Sequence, residues 1–225
     1  MDARMPLRLT CETGALDPDA VARVQAAIAG GELIAYPTDT FYGLGVDPRQ
    51  AAAVGAIFQA KGRASESAIP LIAADTEHVI AWFGALSPLA ARLAARFWPG
   101  PLTLVIPLRC AADVAAAPRA VRLPDALTSG LDSIAIRVPD HAIARAVAAA
   151  AGGVITSTSA NRSGHPPLRT ADEVLREMGG ALSLIIDAGI TPGGAPSTIV
   201  DVTQNAPRLV RPGLVPWERV LESIQ

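Results

Sequence analysis

The chain of 225 residues contains a single lysine. The other 18 of its 19 basic residues are arginine, so Lys61 stands alone. Aromatic residues are scarce, at 4%, which leaves Ala, Val, Leu and Ile to build the core. Cysteine is limited to Cys11 and Cys110. Two thiols so placed make no disulfide framework and fit no zinc spacing; they read as ordinary thiols in a reducing cytosol. The three histidines, His78, His141 and His165, are far apart and outline no metal cluster. A basic excess is also missing: 19 positive against 21 negative side chains leave a net charge of −2. A tight, sequence-independent nucleic-acid binder carries such an excess, because its affinity scales with the phosphates it neutralises. Long hydrophobic runs are missing too. The longest, "AIARAVAAAAGGVI", is cut by Arg145 and by Gly152-Gly153, so no membrane span is expected. The first residues, "MDARMPLRLTCETG", show no apolar segment of the secretory kind, and a cytoplasmic location is expected.

Half of the residues are hydrophobic, enough for a folded domain. Punctuation along the chain alternates helices with strands. "LDPDAVARVQAAIAGG" offers Asp17 as a cap, Pro18 in the first turn and a Gly-Gly stop, the marks of a helix. "VDPRQAAAVGAIFQAKG" repeats the Asp-Pro start at Asp47 and stops at Gly62. Asp75, Ser87, Asp140 and Thr170 are read as caps of further helices, Thr170 with Glu173 as a capping box. "VPWERVLESI" reads as a last helix. "ELIAYPT", "AIPLIAA", "PLTLVIPLR", "SIAIRVP", "VITSTSA", "LSLIIDAG", "STIVDVT" and "PRLVRPG" read as strands. Connections are short, with no repeat and no linker, so the reading is one α/β domain over 1–225. Several late strands follow one another without helices, which predicts a mixed parallel and antiparallel sheet flanked by helices.

The familiar nucleotide and hydrolase motifs are absent. No Walker A loop, HExxH or GxSxG occurs, and "GLGVDP" places Pro48 where the third glycine of a dinucleotide fingerprint belongs. Polar residues gather instead in four stretches. In "YPTDTFYGLG", Thr38 and Thr40 lie at a strand's C-terminal end, where α/β sheets bind ligands; the same hydroxyls also suit a turn that caps its own backbone. In "KGRAS", Lys61 and Arg63 point to one side if extended. A phosphate would satisfy both cations, although these residues alone fit a solvated helix end better. In "TSTSANRSG", Ser159 and Asn161 repeat that spacing just past a strand, suiting either a nucleotide or an Asx-type turn. In "SIAIRVP", Ser133 and Arg137 share a face. An Arg half-buried there needs a partner, either a substrate carboxylate or Asp140, Asp187 or Asp201. Ser197 in "STIVD" and Arg211 in "LVRPG" complete the set. Cations and hydroxyls without a strong general base fit a site that binds and orients anions. The residues by themselves reach a nucleotide or small-anion site, with phosphoryl or adenylyl transfer as the chemistry.

In this order, "YPTDTFYGLG", "KGR", "FWPGPLT", "IAIRVPDH", "TSANRSG", "STIVD" and "RPG" resemble the YrdC-like family of threonylcarbamoyl-AMP synthases. The resemblance runs from about Asp19 to Gly213. It implies a twisted mixed sheet with a cationic concave face. It also implies an activity: L-threonine, bicarbonate (or CO2) and ATP, with Mg2+, give threonylcarbamoyl-adenylate and pyrophosphate. A separate transferase complex then uses the adenylate for the t6A modification of tRNA. Carried onto this chain, the family's characteristic tetrad is Lys61, Arg63, Ser159 and Asn161. Thr38, Arg137 and Ser197 fall at threonine or carbamate positions. Lys61, Ser133, Ser159, Asn161 and Arg211 fall at ATP positions, with Ser65 as an added nucleotide contact. No protein ligand to Mg2+ is implied; the ion comes with the phosphates of ATP. The chain departs from many members at Ala64, where they have Pro, and in "SAIPLIAAD", which lacks their His. It is similar to the short form of the family. Weak binding of tRNA is a further expectation, and the alternatives are a YciO-type paralogue, an RNA-binding module of the same fold, and a carbamoyl-transfer domain of hydrogenase maturation.

Overall fold

The computed structural model describes residues 5–11, 14–62, 68–108 and 121–225. Arg63, Ser65 and Cys110, named above, lie outside these described residues. In chain order the elements open with β1 (Leu7–Thr10), α1 (Pro18–Ala29), β2 (Ile34–Tyr36), β3 (Gly43–Gly45) and α2 (Ala51–Lys61). There follow β4 (Leu71–Ala73), α3 (Thr76–Phe83), α4 (Pro88–Phe97), β5 (Leu102–Pro107), α5 (Asp125–Thr128) and β6 (Ser133–Arg137). The rest are α6 (Ala142–Ala150), β7 (Val154–Thr156), β8 (Thr158–Ser159), α7 (Ala171–Met178), β9 (Leu184–Asp187), β10 (Thr198–Asp201), β11 (Arg208–Arg211) and α8 (Trp217–Glu222).

The strands pair in both senses, as the sequence implies, and divide between two sheets. One runs β1-β9-β2-β3-β8 and the other β11-β10-β5-β6-β4-β7. β10 lies parallel to β5, while β5 and β6 are antiparallel. The chain passes from one sheet to the other between β7 and β8, at Ser157. There the Ser157 N–H donates to the Pro70 carbonyl at 2.8 Å. Beside the crossing, the Thr156 hydroxyl accepts from the Val46 N–H at 2.9 Å, binding the sheets together. β3 and β8 pair through Gly43 with Ser159 and Leu44 with Thr158. That register sets the stretch around Thr38 against the stretch around Asn161.

Two apolar clusters hold these layers. Val24, Ile28, Ile34, Tyr36, Ile143 and Val147 fill the space beneath α1 and α6. Leu44, Val54, Ile57, Leu71, Leu93, Leu104 and Ile136 belong to the larger cluster. With so few aromatics the packing relies on branched aliphatics, each giving about 1.5–3 kcal/mol on full burial.

The caps follow sequence logic with two exceptions. Asp17, Asp75 and Ser87 accept from the N–H three residues on, and Thr170 with Glu173 closes a capping box. The expected start at Asp47 is instead a turn, in which Asp47 accepts from the backbone and side chain of Arg49; α2 begins four residues later. The cap of α6 is His141, not Asp140. The N–H of Asp140 is drawn elsewhere, to Asp39. β1, β3 and the short α5 were not expected from the pattern, being too short or, at β3, too glycine-rich to register.

Candidate functional site

The elements converge on a cleft of about 640 Å³ between the two sheets. Its walls carry Thr38, Thr40, Thr103, Arg137, Ser159, Asn161, Ser197 and Arg211. Seven of the residues singled out from the sequence therefore meet: Thr38, Thr40, Arg137, Ser159, Asn161, Ser197 and Arg211. Ser133 does not line it. It sits at the other end of β6 from Arg137, paired with Pro107, roughly 13 Å away at strand spacing.

Thr38 lies on the turn after β2. Its hydroxyl donates to the Phe41 carbonyl at 2.7 Å, accepts from the Thr40 N–H at 3.1 Å and meets the Thr40 hydroxyl at 3.1 Å. The hydroxyl thus fixes its own turn. Across the cleft, Ser197 precedes β10, and its hydroxyl lies 2.9 Å from that of Thr103 on β5. Arg211, at the end of β11, donates to the Ser197 carbonyl at 2.8 Å and to its hydroxyl at 3.2 Å. Gly213 follows because its backbone runs against that same segment. A Cβ there would stand 2.3 Å from the Pro196 carbonyl oxygen and 2.5 Å from the Thr198 nitrogen. The "RPG" and "STIVD" stretches are thus one structural unit.

Lys61 ends α2, and Gly62 closes the helix in the left-handed region at φ 60°. Its side chain is 5% exposed. The ammonium donates to the carbonyls of Ser159 at 2.5 Å and Asn161 at 2.8 Å, and the Ser163 N–H returns a bond to the Lys61 carbonyl at 3.0 Å. Lys61 is not in the cleft wall; it holds from behind the loop that is. Asn161 shapes that loop as well, its amide Nδ2 bridging the carbonyls of Arg162 at 3.0 Å and His165 at 2.6 Å. Its Oδ1 is buried with no hydrogen-bond partner among the described residues, a state that costs about 1–3 kcal/mol.

Arg137 is the most deeply set cation in the wall. Its side chain is 8% exposed and that of Asp39 is 11% exposed. Nη1 donates to both carboxylate oxygens, at 2.6 and 2.8 Å. This corrects the partners expected from sequence. Asp187 pairs with Arg8, Asp201 with Arg208, and Asp140 lies 3.7 Å from Arg145. Asp39 was overlooked although it stands between the two threonines of interest. Its signal was that a buried arginine required a carboxylate. Thr103 was missed too, hidden in what read as a plain core strand.

Arg211 has no carboxylate within ion-pair distance among the described residues. Desolvation by the cleft and, secondarily, the charge of Arg137 lower its pKa. Two guanidiniums carried on strands of one sheet and lining one cleft with polar side chains make a site for anions. His141, behind Arg137, has its pKa pushed down, chiefly by burial.

A family model matches residues 26–213. It is the Sua5, YciO and YrdC model, described as "Telomere recombination". The chain belongs to this family. A threonylcarbamoyl-AMP synthase of Bacillus subtilis is 36% identical over 94% of this chain and 58% of its own length. One of Thiobacillus denitrificans is 40% identical over 80% of this chain and 89% of its own. Sua5 of Pyrococcus abyssi, solved in complex with L-threonine, superposes with a TM-score of 0.84 at 34% identity, covering 98% of this chain and 61% of that one. This chain therefore spans a little over half the length of the Bacillus relative. It also spans 54% of the length of a threonylcarbamoyl-AMP synthase of Pyrococcus abyssi, at 38% identity.

Proposed function

We propose that this domain makes threonylcarbamoyl-adenylate from L-threonine, bicarbonate and ATP, with release of pyrophosphate. The observation that carries the reading is the meeting of Arg137 and Arg211 in one cleft with the Ser159–Asn161 loop. The naming of two relatives as threonylcarbamoyl-AMP synthase and the threonine-bound Sua5 support it.

The threonine amine and bicarbonate first give the carbamate and water. A carbamate oxygen then attacks the α-phosphorus of ATP, and the bond to the pyrophosphate oxygen breaks. Both partners are anions, so their repulsion is the main obstacle, and fixed cations supply most of the catalysis. Arg137 takes the planar carboxylate or carbamate. Arg211 takes the polyphosphate, which relieves the opposition between the two guanidiniums. The hydroxyls of Ser159 and Ser197 orient the ligands. Arg63 and Ser65 belong to the same proposal by their place in the family pattern, as does Ser133 for ATP. Mg2+ enters bound to ATP; among the described residues no group of three or more His, Cys, Asp or Glu gathers to hold a metal. The reaction is an adenylyl transfer. Its product goes to a separate transferase complex acting on tRNA, in the cytoplasm. Among the described residues no helix is long and apolar enough to cross a membrane.

The test is pyrophosphate release by the purified protein as ATP, threonine and bicarbonate are varied. Release that depends on all three is expected. Release indifferent to threonine would refute the proposal.

A further inference from the structure

We infer that Asp39 is a positioning residue for the substrate's planar anionic group: it holds one edge of Arg137 so that the other faces the cleft. The inference rests on the function proposed above. Arg137 lines the cleft, and the carboxylate of Asp39 is no part of that lining.

Three constraints fix that carboxylate. Both oxygens accept from Nη1 of Arg137, at 2.6 and 2.8 Å. Oδ2 also accepts from the Asp140 N–H at 3.2 Å. The turn that carries Asp39 is closed on either side by the hydroxyls of Thr38 and Thr40. Arg137 is held in turn at its base, where β6 pairs Arg137 with Ile72 of β4. Every hydrogen bond of the guanidinium to the described residues is made by Nη1. Nη2 and Nε remain as a parallel pair of donors, the fork that matches a carboxylate or carbamate in two bonds.

Without Asp39 nothing among the described residues would select this edge. The like charge of Arg211, whose pKa is lowered first by desolvation and second by the charge of Arg137, would push the guanidinium out of register. The role is geometric as well as electrostatic, so a carboxylate displaced by one methylene should not fulfil it.

The experiment compares Asp39→Glu and Asp39→Asn with wild type. It uses thermal melting, steady-state pyrophosphate release and calorimetric titration with L-threonine. Asp39→Glu keeps the ion pair and is the variant expected to stay folded. Its KM for threonine should rise roughly tenfold, with calorimetric affinity falling in step, while KM for ATP stays within about twofold; a tenfold change matches one misdirected hydrogen bond. Asp39→Asn should show the larger threonine defect. Threonine KM within twofold of wild type in Asp39→Glu, or equal losses for threonine and ATP, would overturn the inference. A wild type whose release ignores threonine would overturn the proposed function itself, and this role with it. An unaffected Asp39→Glu beside a threonine-dependent wild type overturns only the role.

Discussion

Replacing Lys61 by alanine removes an ammonium that is 5% exposed and tied to two carbonyls of the Ser159–Asn161 loop. Hydrogen bonds to charged groups contribute about 1.5–3 kcal/mol each. Relief of the buried charge offsets part of this, so the lower end of the range applies, about 3 kcal/mol for the pair. For a domain of this size each kcal/mol shifts Tm by about 2–4 °C, which gives a fall of about 6–12 °C. Lys61→Met isolates the charge, because it keeps most of the apolar stem. Both variants are assayed by thermal melting and by pyrophosphate release at saturating ATP and threonine. The expected result is a folded protein at 20 °C, a Tm lowered as stated, and turnover nearly abolished because the loop bearing Ser159 and Asn161 is no longer held. A Lys61→Met protein that melts within about 2 °C of wild type would refute the tie, since two charge-assisted bonds cannot vanish at no cost. Loss of turnover without loss of Tm would instead place the ammonium on the substrate. Full turnover would remove Lys61 from the site.

Gly213→Ala should disturb the cleft without touching it: the new Cβ would press on the Pro196–Thr198 backbone, costing about 1–3 kcal/mol, and a Tm equal to wild type would contradict that contact. Leu104→Ala, at a fully buried position in β5, should cost about 2–5 kcal/mol by chemical denaturation with the m-value unchanged; a loss below 1 kcal/mol would mean that β5 is not central. His141 accepts from the Ala144 N–H, and burial, its leading influence, lowers its pKa from the ordinary 6.5. The unfolded chain then binds the proton more readily, so this contribution is fully present above pH 6.5 and is lost as pH falls toward the lower folded value. Melting curves of His141→Asn, which retains a capping acceptor, should lose that acid-side slope; an unchanged slope would assign it to other groups.

The helices were legible wherever a capping residue and a glycine stop bracketed an apolar period, as in α1, α3, α4 and α7. They were misplaced where an Asp had a competing use. Asp47 serves Arg49, and the Asp140 N–H serves Asp39. A cap signal records that an acceptor is present, not which donor claims it. β3 escaped because glycines carry no alternation. Gly45 is required there by packing, since a Cβ would lie 2.7 Å from both Tyr36 and Ile155. In the site, the sequence pattern named both arginines of the cleft wall and several of its hydroxyls, because strand-end hydroxyls and arginines stand out against an aliphatic background. It did not distinguish a side chain that faces the ligand from one that holds the wall. Thr38 and Lys61 are polar and buried, yet both satisfy backbone. Asp39 is not legible in the sequence because its partner Arg137 lies 98 residues away.

The cations of the site differ in how the protein answers their charge, and that difference accounts for the lone lysine. Lys61 meets two carbonyls that converge from one tight loop. A compact ammonium accepts that geometry, whereas a planar guanidinium spreads its donors too widely for it. Arg137 is answered from behind by a full carboxylate, so its charge is balanced before a ligand arrives and its exposed edge confers direction more than attraction. Arg211 receives one carbonyl and one hydroxyl, which orient it without cancelling its charge. The cleft thus holds a directional cation and an attracting one on the same sheet. Under the proposed function, such an arrangement would bind a monoanion and a polyanion at distinct places and bring them together without reorganisation. A chain with net charge −2 achieves this locally, with Arg211 facing no carboxylate within ion-pair distance among the described residues.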